Sequence, residues 1–319
     1  MNDRLDTLFV TLAAIPGLTV LRDEPLAPRT TWKIGGPAAL LVEVASSDAL
    51  VALVAALAAP APVRWAVLGN GSNVLVSDRG FDGVVLVLTG ALAEVSVQRD
   101  AFGPGRHAVQ AGAGTSITRL LRTAKDQSLG GLWVLGGVPG TVGGAVKMNA
   151  GTRWGEAKDV LHAVQLATAH GLETVPVDAL GLAYRHSDIA RDAVIASATF
   201  AVGDADPATR DELDRVLAHR KATQPLQLPS CGSVFANPPG DSAGRLIEAV
   251  GLKGHRQGDL EVSPMHANWI VNHGQGTAAD ALALIDLIRE RVHAAFGVEL
   301  RPEVQRFGDF GTLTREGTP

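Results

Sequence analysis

Gly136-Gly-Val-Pro-Gly-Thr-Val-Gly-Gly-Ala-Val-Lys-Met-Asn-Ala-Gly151 carries six glycines in sixteen positions. A regular helix or strand is weakened at each of them, whereas a loop gains left-handed backbone angles and close main-chain approach. Such a run suits a place where main-chain N–H groups crowd a ligand, most often a phosphate. Upstream, Gly69-Asn-Gly-Ser-Asn73 follows the apolar run Trp65-Ala-Val-Leu68 and has the same character. Two glycine-rich loops at strand ends predict one large phosphorylated cofactor held from two sides. The plain alternative is a pair of tight turns without a ligand, but six glycines exceed what a turn needs.

Neither loop fits the common nucleotide fingerprints. The P-loop pattern is absent. Gly69-Asn-Gly71 is followed by Asn73-Val-Leu-Val-Ser77, a strand pattern, where the Rossmann fingerprint would open a helix.

The 319 residues are 46% hydrophobic, enough for two or three domains with cores of their own. A net charge of −5 argues against nucleic acid or a membrane surface as partner. With Cys231 as the one cysteine, a disulfide framework and a cysteine-ligated metal site within one chain are excluded. The nine histidines are scattered, and no metal site is expected. Met1-Asn-Asp-Arg-Leu-Asp6 has acids where a signal peptide would have a basic segment, and no apolar run reaches the length of a membrane span. The expectation is a cytoplasmic, monomeric protein acting on small molecules.

Along the chain, Leu5, Leu8, Phe9 and Leu12 predict an amphipathic helix stopped by Pro16-Gly17. Arg29 to Pro37 reads as a polar turn region and Ala38–Val44 as a strand. Ser47-Asp48 caps a helix to about Ala59, ended by Pro60 and Pro62. Strands follow at Val63–Leu68, Val74–Ser77 and Val84–Leu88, then near Leu92–Gln98 and His107–Ala111. Thr115 is the expected cap of a helix running to about Ser128. Strands near Val160–Ala167 and Val194–Val202 precede the polar break Asp204-Ala-Asp-Pro207. A helix at Ala208–Lys221, a helix near Ala243–Val250 and a strand at Asn268–Val271 come next. Thr277-x-x-Asp280 resembles a capping box for a helix ending at Phe296-Gly297. The last expected strand, Val298 to Phe307, contains Glu303, and the Gly-Asp-Phe-Gly-Thr tail after it reads as frayed.

Seven segments, in order from about residue 25 to 307, resemble one family. Thr31-Trp-Lys-Ile-Gly-Gly-Pro37, Gly69-Asn-Gly-Ser-Asn-Val-Leu-Val-Ser77 and Gly137-Val-Pro-Gly-Thr-Val-Gly-Gly-Ala145 are similar to flavin-binding segments of UDP-N-acetylenolpyruvoylglucosamine reductases. Ala183-Tyr-Arg-His-Ser187, Gly232-Ser-Val-Phe-Ala-Asn-Pro238, Met265-His-Ala-Asn-Trp-Ile-Val-Asn272 and Gly297-Val-Glu-Leu-Arg-Pro-Glu-Val304 are similar to their substrate and catalytic segments. The resemblance implies an α+β chain. It would have the FAD-binding fold of the p-cresol methylhydroxylase and vanillyl-alcohol oxidase type, in two α+β subdomains, plus a C-terminal α+β substrate-binding domain. The expected boundaries are 1–90, 91–203 and 204–319. The short stretch between Ser187 and Pro225 resembles the type II form, which lacks a long inserted loop. Trp133, where an acid is expected, and Lys147 depart from the pattern.

The family reduces the enolpyruvyl ether of UDP-N-acetylglucosamine to UDP-N-acetylmuramate for peptidoglycan, with noncovalent FAD as cofactor and NADPH as co-substrate. That chemistry needs a hydride, a cation for charge developing on the substrate carboxylate, and an acid that delivers a proton to C2. The resemblance assigns the cation to Arg185, whose planar fork matches a carboxylate. It assigns the proton to Ser233, otherwise a turn-forming loop serine, and adds Glu303 to the catalytic centre, otherwise a residue of a solvated strand face. It implies Gly69, Asn70, Gly71, Ser72, Asn73, Gly137, Pro139, Gly140, Thr141, Gly143 and Gly144 as cofactor contacts. Tyr184, Arg220, Asn237 and His266 would contact the UDP-sugar. Tyr184 could equally fill the core, and His266 could be an interior histidine satisfied by backbone. Cys231 reads as a small buried hydrophobe.

Two other readings stay open on the sequence. An FAD-dependent alcohol or aldonolactone oxidase on the same fold fits residues 25 to 200 equally, but not the segments of Ser233 and Glu303. A flavin-carrying binding module would be yellow and would not consume NADPH.

Overall fold

The computed structural model describes residues 3–58, 63–152 and 154–310. Helix α1 (Asp3–Ala13) buries Leu12, and β1 (Leu18–Pro25) follows. β1 is absent from the sequence reading because Arg22-Asp-Glu breaks its apolar alternation; an edge strand needs only one apolar face. β2 (Pro37–Val44) lies where a strand is expected. Helix α2 (Ser47–Leu57) is capped by Ser46, whose side chain accepts from the Ala49 N–H at 3.3 Å, not by Ser47-Asp48. The expected stop at Ala59 to Pro62 lies outside the described residues.

Strands β3 (Trp65–Val67), β4 (Val74–Val76), β5 (Phe81–Leu88), β6 (Val95–Gln98) and β7 (Arg106–Gly112) occupy the apolar runs. Helix α3 (Ile117–Asp126) is capped by Ser116 through the Arg119 N–H at 3.2 Å, and the expected cap Thr115 instead donates to the Glu94 carbonyl. The glycine run is not all loop: Val142–Lys147 forms a short helix, α4. Strands β8 (Gly151–Thr152) and β9 (Gly155–Glu156) make a small hairpin before β10 (Leu161–Thr168), β11 (Gly171–Pro176) and β12 (Val194–Gly203). β11 is a mostly exposed edge strand with no apolar signal.

After the Asp204-Ala-Asp break comes α5 (Pro207–Thr223), with Asp206 accepting from the Ala208 N–H at 3.0 Å. One strand and one helix therefore fill the stretch between Ser187 and Pro225. The rest comprises β13 (Ser230–Ser233), α6 (Ala243–Ala249), β14 (Arg256–Gln257), β15 (Leu260–Val262), β16 (Trp269–Asn272), α7 (Ala278–Phe296) and β17 (Gln305–Phe307). α7 has both features of its predicted ends: the reciprocal Thr277–Asp280 capping box and Gly297 in the left-handed region at φ 66°. The strand expected over Val298–Phe307 is only three residues long, so Glu303 lies outside it. Pro302 lacks the N–H that a ladder there would need. The tail is not frayed at its start: the Asp309 N–H donates to the Gly80 carbonyl at 3.1 Å, and its carbonyl accepts from Ser77 Oγ.

The chain divides into two compact units, 1–21 with 40–70 and 84–222, and 22–39 with 71–83 and 223–319. In the first, a five-stranded antiparallel sheet has the order β11-β10-β12-β7-β6, with Ala198 opposite Ala111. Strands β3 and β5 pair in parallel there, with Trp65 opposite Val84. Leu40, Leu53, Leu86, Val109, Leu120 and Phe200 belong to one continuous core there. In the second unit, β13-β16-β15-β14 form an antiparallel sheet, β17 runs parallel to β4, and Trp32, Leu75, Phe235, Leu246, Ile270 and Leu284 share a core.

Candidate functional site

The first unit contains a cleft of about 550 Å³. Its walls are main chain in close contact. A Cβ on Gly69 would stand 2.5 Å from Thr141 Oγ1, one on Gly114 2.2 Å from the Leu88 carbonyl oxygen, and one on Gly143 2.9 Å from the Ala113 Cβ. Only glycine permits these approaches. Gly69, Asn70, Thr141, Gly143 and Gly144 line the cleft, whereas Gly137, Pro139 and Gly140 do not. Val87, Leu88, Val194 and Ile195 give it apolar walls, and Lys147 and Arg191 give it two cations. An apolar slot with two cations and no carboxylate fits a dinucleotide that pairs a flat ring system with a diphosphate.

The glycine run serves this cleft differently from the sequence expectation. The Val142 N–H donates to the Thr115 carbonyl and the Gly143 N–H to the Ala113 carbonyl, both at 2.8 Å. The Gly144 N–H donates to Thr141 Oγ1 at 3.5 Å. The first two bonds join the glycine run to residues 113–115, so the Val142 and Gly143 amides are not left open to a phosphate.

Gly137 has φ 82°, and a Cβ there would stand 2.0 Å from Arg220 Nη1, so the guanidinium lies directly over the glycine. Burial lowers the pKa of Arg220. Arg185 occupies a tight corner in which the Ala183 and His186 main chains exchange two hydrogen bonds of 3.1 Å. Its φ is 56°, a left-handed angle that a non-glycine residue adopts at a cost. Its guanidinium lies 4.8 Å from the ring centre of Tyr184. Tyr184 is 55% exposed, which removes the alternative that it fills the core. Ser187 Oγ, two residues beyond the arginine, is buried without a hydrogen-bond partner.

In the second unit, residues 301–303 run along 234–236. The Glu303 N–H donates to the Val234 carbonyl at 2.8 Å and the Ala236 N–H to the Arg301 carbonyl at 3.0 Å. Ser233 ends β13, exposed, after Gly232 at φ 80°. Ser233 and Glu303 therefore come from adjoining segments. Burial first, and the Glu303 carboxylate to a lesser degree, push the Cys231 thiol far above its ordinary range, so it stays neutral. Asn237 uses its amide oxygen to accept from the Ala243 N–H at 3.0 Å, leaving its NH2 for a ligand. His266 accepts the Asn268 N–H on Nδ1 at 3.3 Å, and burial lowers its pKa. Both features suit a neutral imidazole that donates from Nε2.

The first glycine loop continues into this unit with structural duties of its own. Gly71, at φ 60°, accepts the Thr31 N–H at 3.2 Å, and a Cβ there would stand 2.6 Å from the Thr30 Cα. Asn73 Nδ2 donates to the Glu303 carbonyl at 3.3 Å, so this residue supports the segment that carries the glutamate. Ser72, between them, is half-buried.

Among the described residues, no three His, Cys, Asp or Glu side chains are placed to hold a metal ion, and no helix is long and apolar enough to cross a membrane. Sequence reasoning did not assign Lys147 and Arg191 to the cleft. Lys147 stood out only as a departure from a family pattern, and Arg191 sits in a stretch with no local signal.

Residues 224–307 match the family model of the UDP-N-acetylenolpyruvoylglucosamine reductase C-terminal domain, and residues 38–175 match that of an FAD binding domain. The chain is 45% identical to the UDP-N-acetylenolpyruvoylglucosamine reductase of Myxococcus xanthus, over 95% of this chain and 97% of that one. It is 43% identical to the protein of the same name from Moorella thermoacetica, over 92% and 94%. The crystal structure of the Thermus caldophilus reductase superposes with a TM-score of 0.75 at 35% identity, covering 91% of this chain and 98% of that one.

Proposed function

Because the chain belongs to the UDP-N-acetylenolpyruvoylglucosamine reductase family, we propose that it reduces the enolpyruvyl ether of UDP-N-acetylglucosamine to UDP-N-acetylmuramate, with bound FAD and with NADPH as reductant. The observation that supports this most is the pairing of residues 301–303 with 234–236, which sets Ser233 and Glu303 on adjoining segments.

When bound, the flavin supplies the hydride that adds to the methylene carbon of the enolpyruvyl group, at the expense of NADPH. The chain's own residues do the rest. Arg185 holds the substrate carboxylate through its fork and stabilises the charge that spreads onto it. Ser233 gives its hydroxyl proton to C2, completing the addition of two hydrogens across the double bond. Glu303 is the third catalytic residue, on the segment that adjoins Ser233. Arg220, Asn237, His266 and Tyr184 hold the UDP-sugar. Gly69, Asn70, Thr141, Gly143 and Gly144 form the flavin cleft, with Gly71, Ser72, Asn73, Gly137, Pro139 and Gly140 as supporting contacts. The flavin is held without a covalent bond, so acid precipitation of the yellow protein releases it. The enzyme works in the cytoplasm as a monomer of the type II form, with functional divisions at residues 90 and 203.

The test mixes purified yellow protein, NADPH and the enolpyruvyl substrate. Loss of NADPH absorbance that depends on the substrate, with a product two hydrogens heavier, is the expected result. NADPH consumption that needs only oxygen and leaves the substrate mass unchanged would overturn the proposal in favour of an oxidase.

A further inference from the structure

Lys147 and Arg191 face the same cleft, and no carboxylate shares its lining. Lys147 stands in the last turn of α4, and its ammonium donates to the Ile189 carbonyl at 2.7 Å. That bond uses one of three N–H donors, and it ties α4 to the segment that carries Arg191. Burial, and then the charge of Arg191, lower the Lys147 pKa, while Asp188 acts in the opposite sense. Asp188 is itself engaged by His186, with Nε2 to Oδ1 at 2.8 Å. Two like charges therefore share one wall, a cost that an anion between them reverses. The amides of Val142 and Gly143 are occupied, as described above, and these two side chains are the cations available to match negative charge there.

We propose that Lys147 and Arg191 form a two-cation clamp on the diphosphate of the dinucleotide that fills this cleft, with Lys147 also positioning the 189–191 segment. The proposal rests on the flavin reading given above. Two unit charges match a diphosphate carrying two negative charges. The Arg191 fork suits paired phosphate oxygens, and the lysine acts as a point charge.

The test titrates FAD into the flavin-free full-length protein at low and high salt, followed by quenching of flavin fluorescence. Lys147→Gln and Arg191→Gln should each weaken FAD binding about tenfold to a hundredfold. Each should also flatten its salt dependence, because a screened attraction has been removed. Lys147→Arg should recover most of the affinity. Thermal melting of the flavin-free variants checks the fold, and Arg191→Gln, on an exposed segment, carries the test if Lys147→Gln does not fold. Unchanged FAD affinity, or a loss that keeps the full wild-type salt dependence, would overturn the clamp and leave Lys147 a structural tether. A parallel titration with NADP+ separates the other phosphate source: variants that weaken NADP+ binding and spare FAD also refute the proposal. If the wild-type protein takes up no FAD, the flavin reading itself fails and the clamp with it. If it binds FAD and the variants match it, only the clamp fails.

Discussion

Replacing Arg185 by glycine should separate stability from activity. The arginine sits at φ 56° in a corner closed by two main-chain hydrogen bonds, both of which survive the substitution. A non-glycine residue in the left-handed region costs about 1–2 kcal/mol relative to the right-handed one, a cost glycine avoids. Against this relief stand the larger unfolded-state entropy of glycine, about 0.5–1 kcal/mol, and the lost contact with the Tyr184 ring at 4.8 Å, about 0.5–1 kcal/mol at an exposed site. The sum lies within about 1 kcal/mol of zero. Turnover should instead fall by two orders of magnitude or more, roughly the effect of removing a charge stabiliser from a reacting centre. Urea unfolding and kcat/KM on the same preparations give both quantities. A stability loss above about 2 kcal/mol would show that local packing, not function, holds the arginine in its strained angle. Activity within tenfold of wild type would remove Arg185 from the reaction.

Ser233→Ala should keep flavin binding and flavin reduction by NADPH but lose substrate reduction by roughly 10²–10⁴-fold; near-normal product formation takes Ser233 out of the mechanism. Arg185→Lys and Glu303→Gln should each damage turnover, and the double variant should be little worse than the poorer single one, since groups acting in one transition state are non-additive. Multiplicative losses in a kcat/KM cycle would place them in independent roles. His266, whose pKa burial lowers, stays neutral in the folded protein at a pH where the unfolded chain binds a proton. The unfolded state then holds more protons, so stability drops as pH falls below about 6.5, and protonation also removes the Nδ1 acceptor of the Asn268 N–H. His266→Gln should therefore lose less stability than wild type between about pH 7 and pH 5; identical pH profiles in urea unfolding would contradict this.

Local rules make much of this chain legible in its sequence alone. Thr277, Asp280 and Gly297 set both ends of α7, because caps act within one turn of the backbone. The apolar runs at β2, β5 and β12 mark buried strands, because burial on both faces needs largely hydrophobic sequence. Seven ordered segments were enough to identify the family. Features that depend on residues distant in sequence were not legible. β1 and β11 are edge strands whose existence depends on a partner strand rather than on their own pattern. Glu303 reads as part of a strand, yet its main chain pairs with Val234 and its carbonyl accepts from Asn73, and only the fold brings these together. The glycine run reads as a set of open amides, but Ala113 and Thr115 accept two of them. Lys147 and Arg191 lie 44 positions apart by number and share one wall only because α4 and the segment before β12 border the same cleft. Backbone preference is a short-range property readable from neighbouring residues, whereas the charge and hydrogen-bond partners of a cleft are set by which distant segments the folded chain brings to its walls.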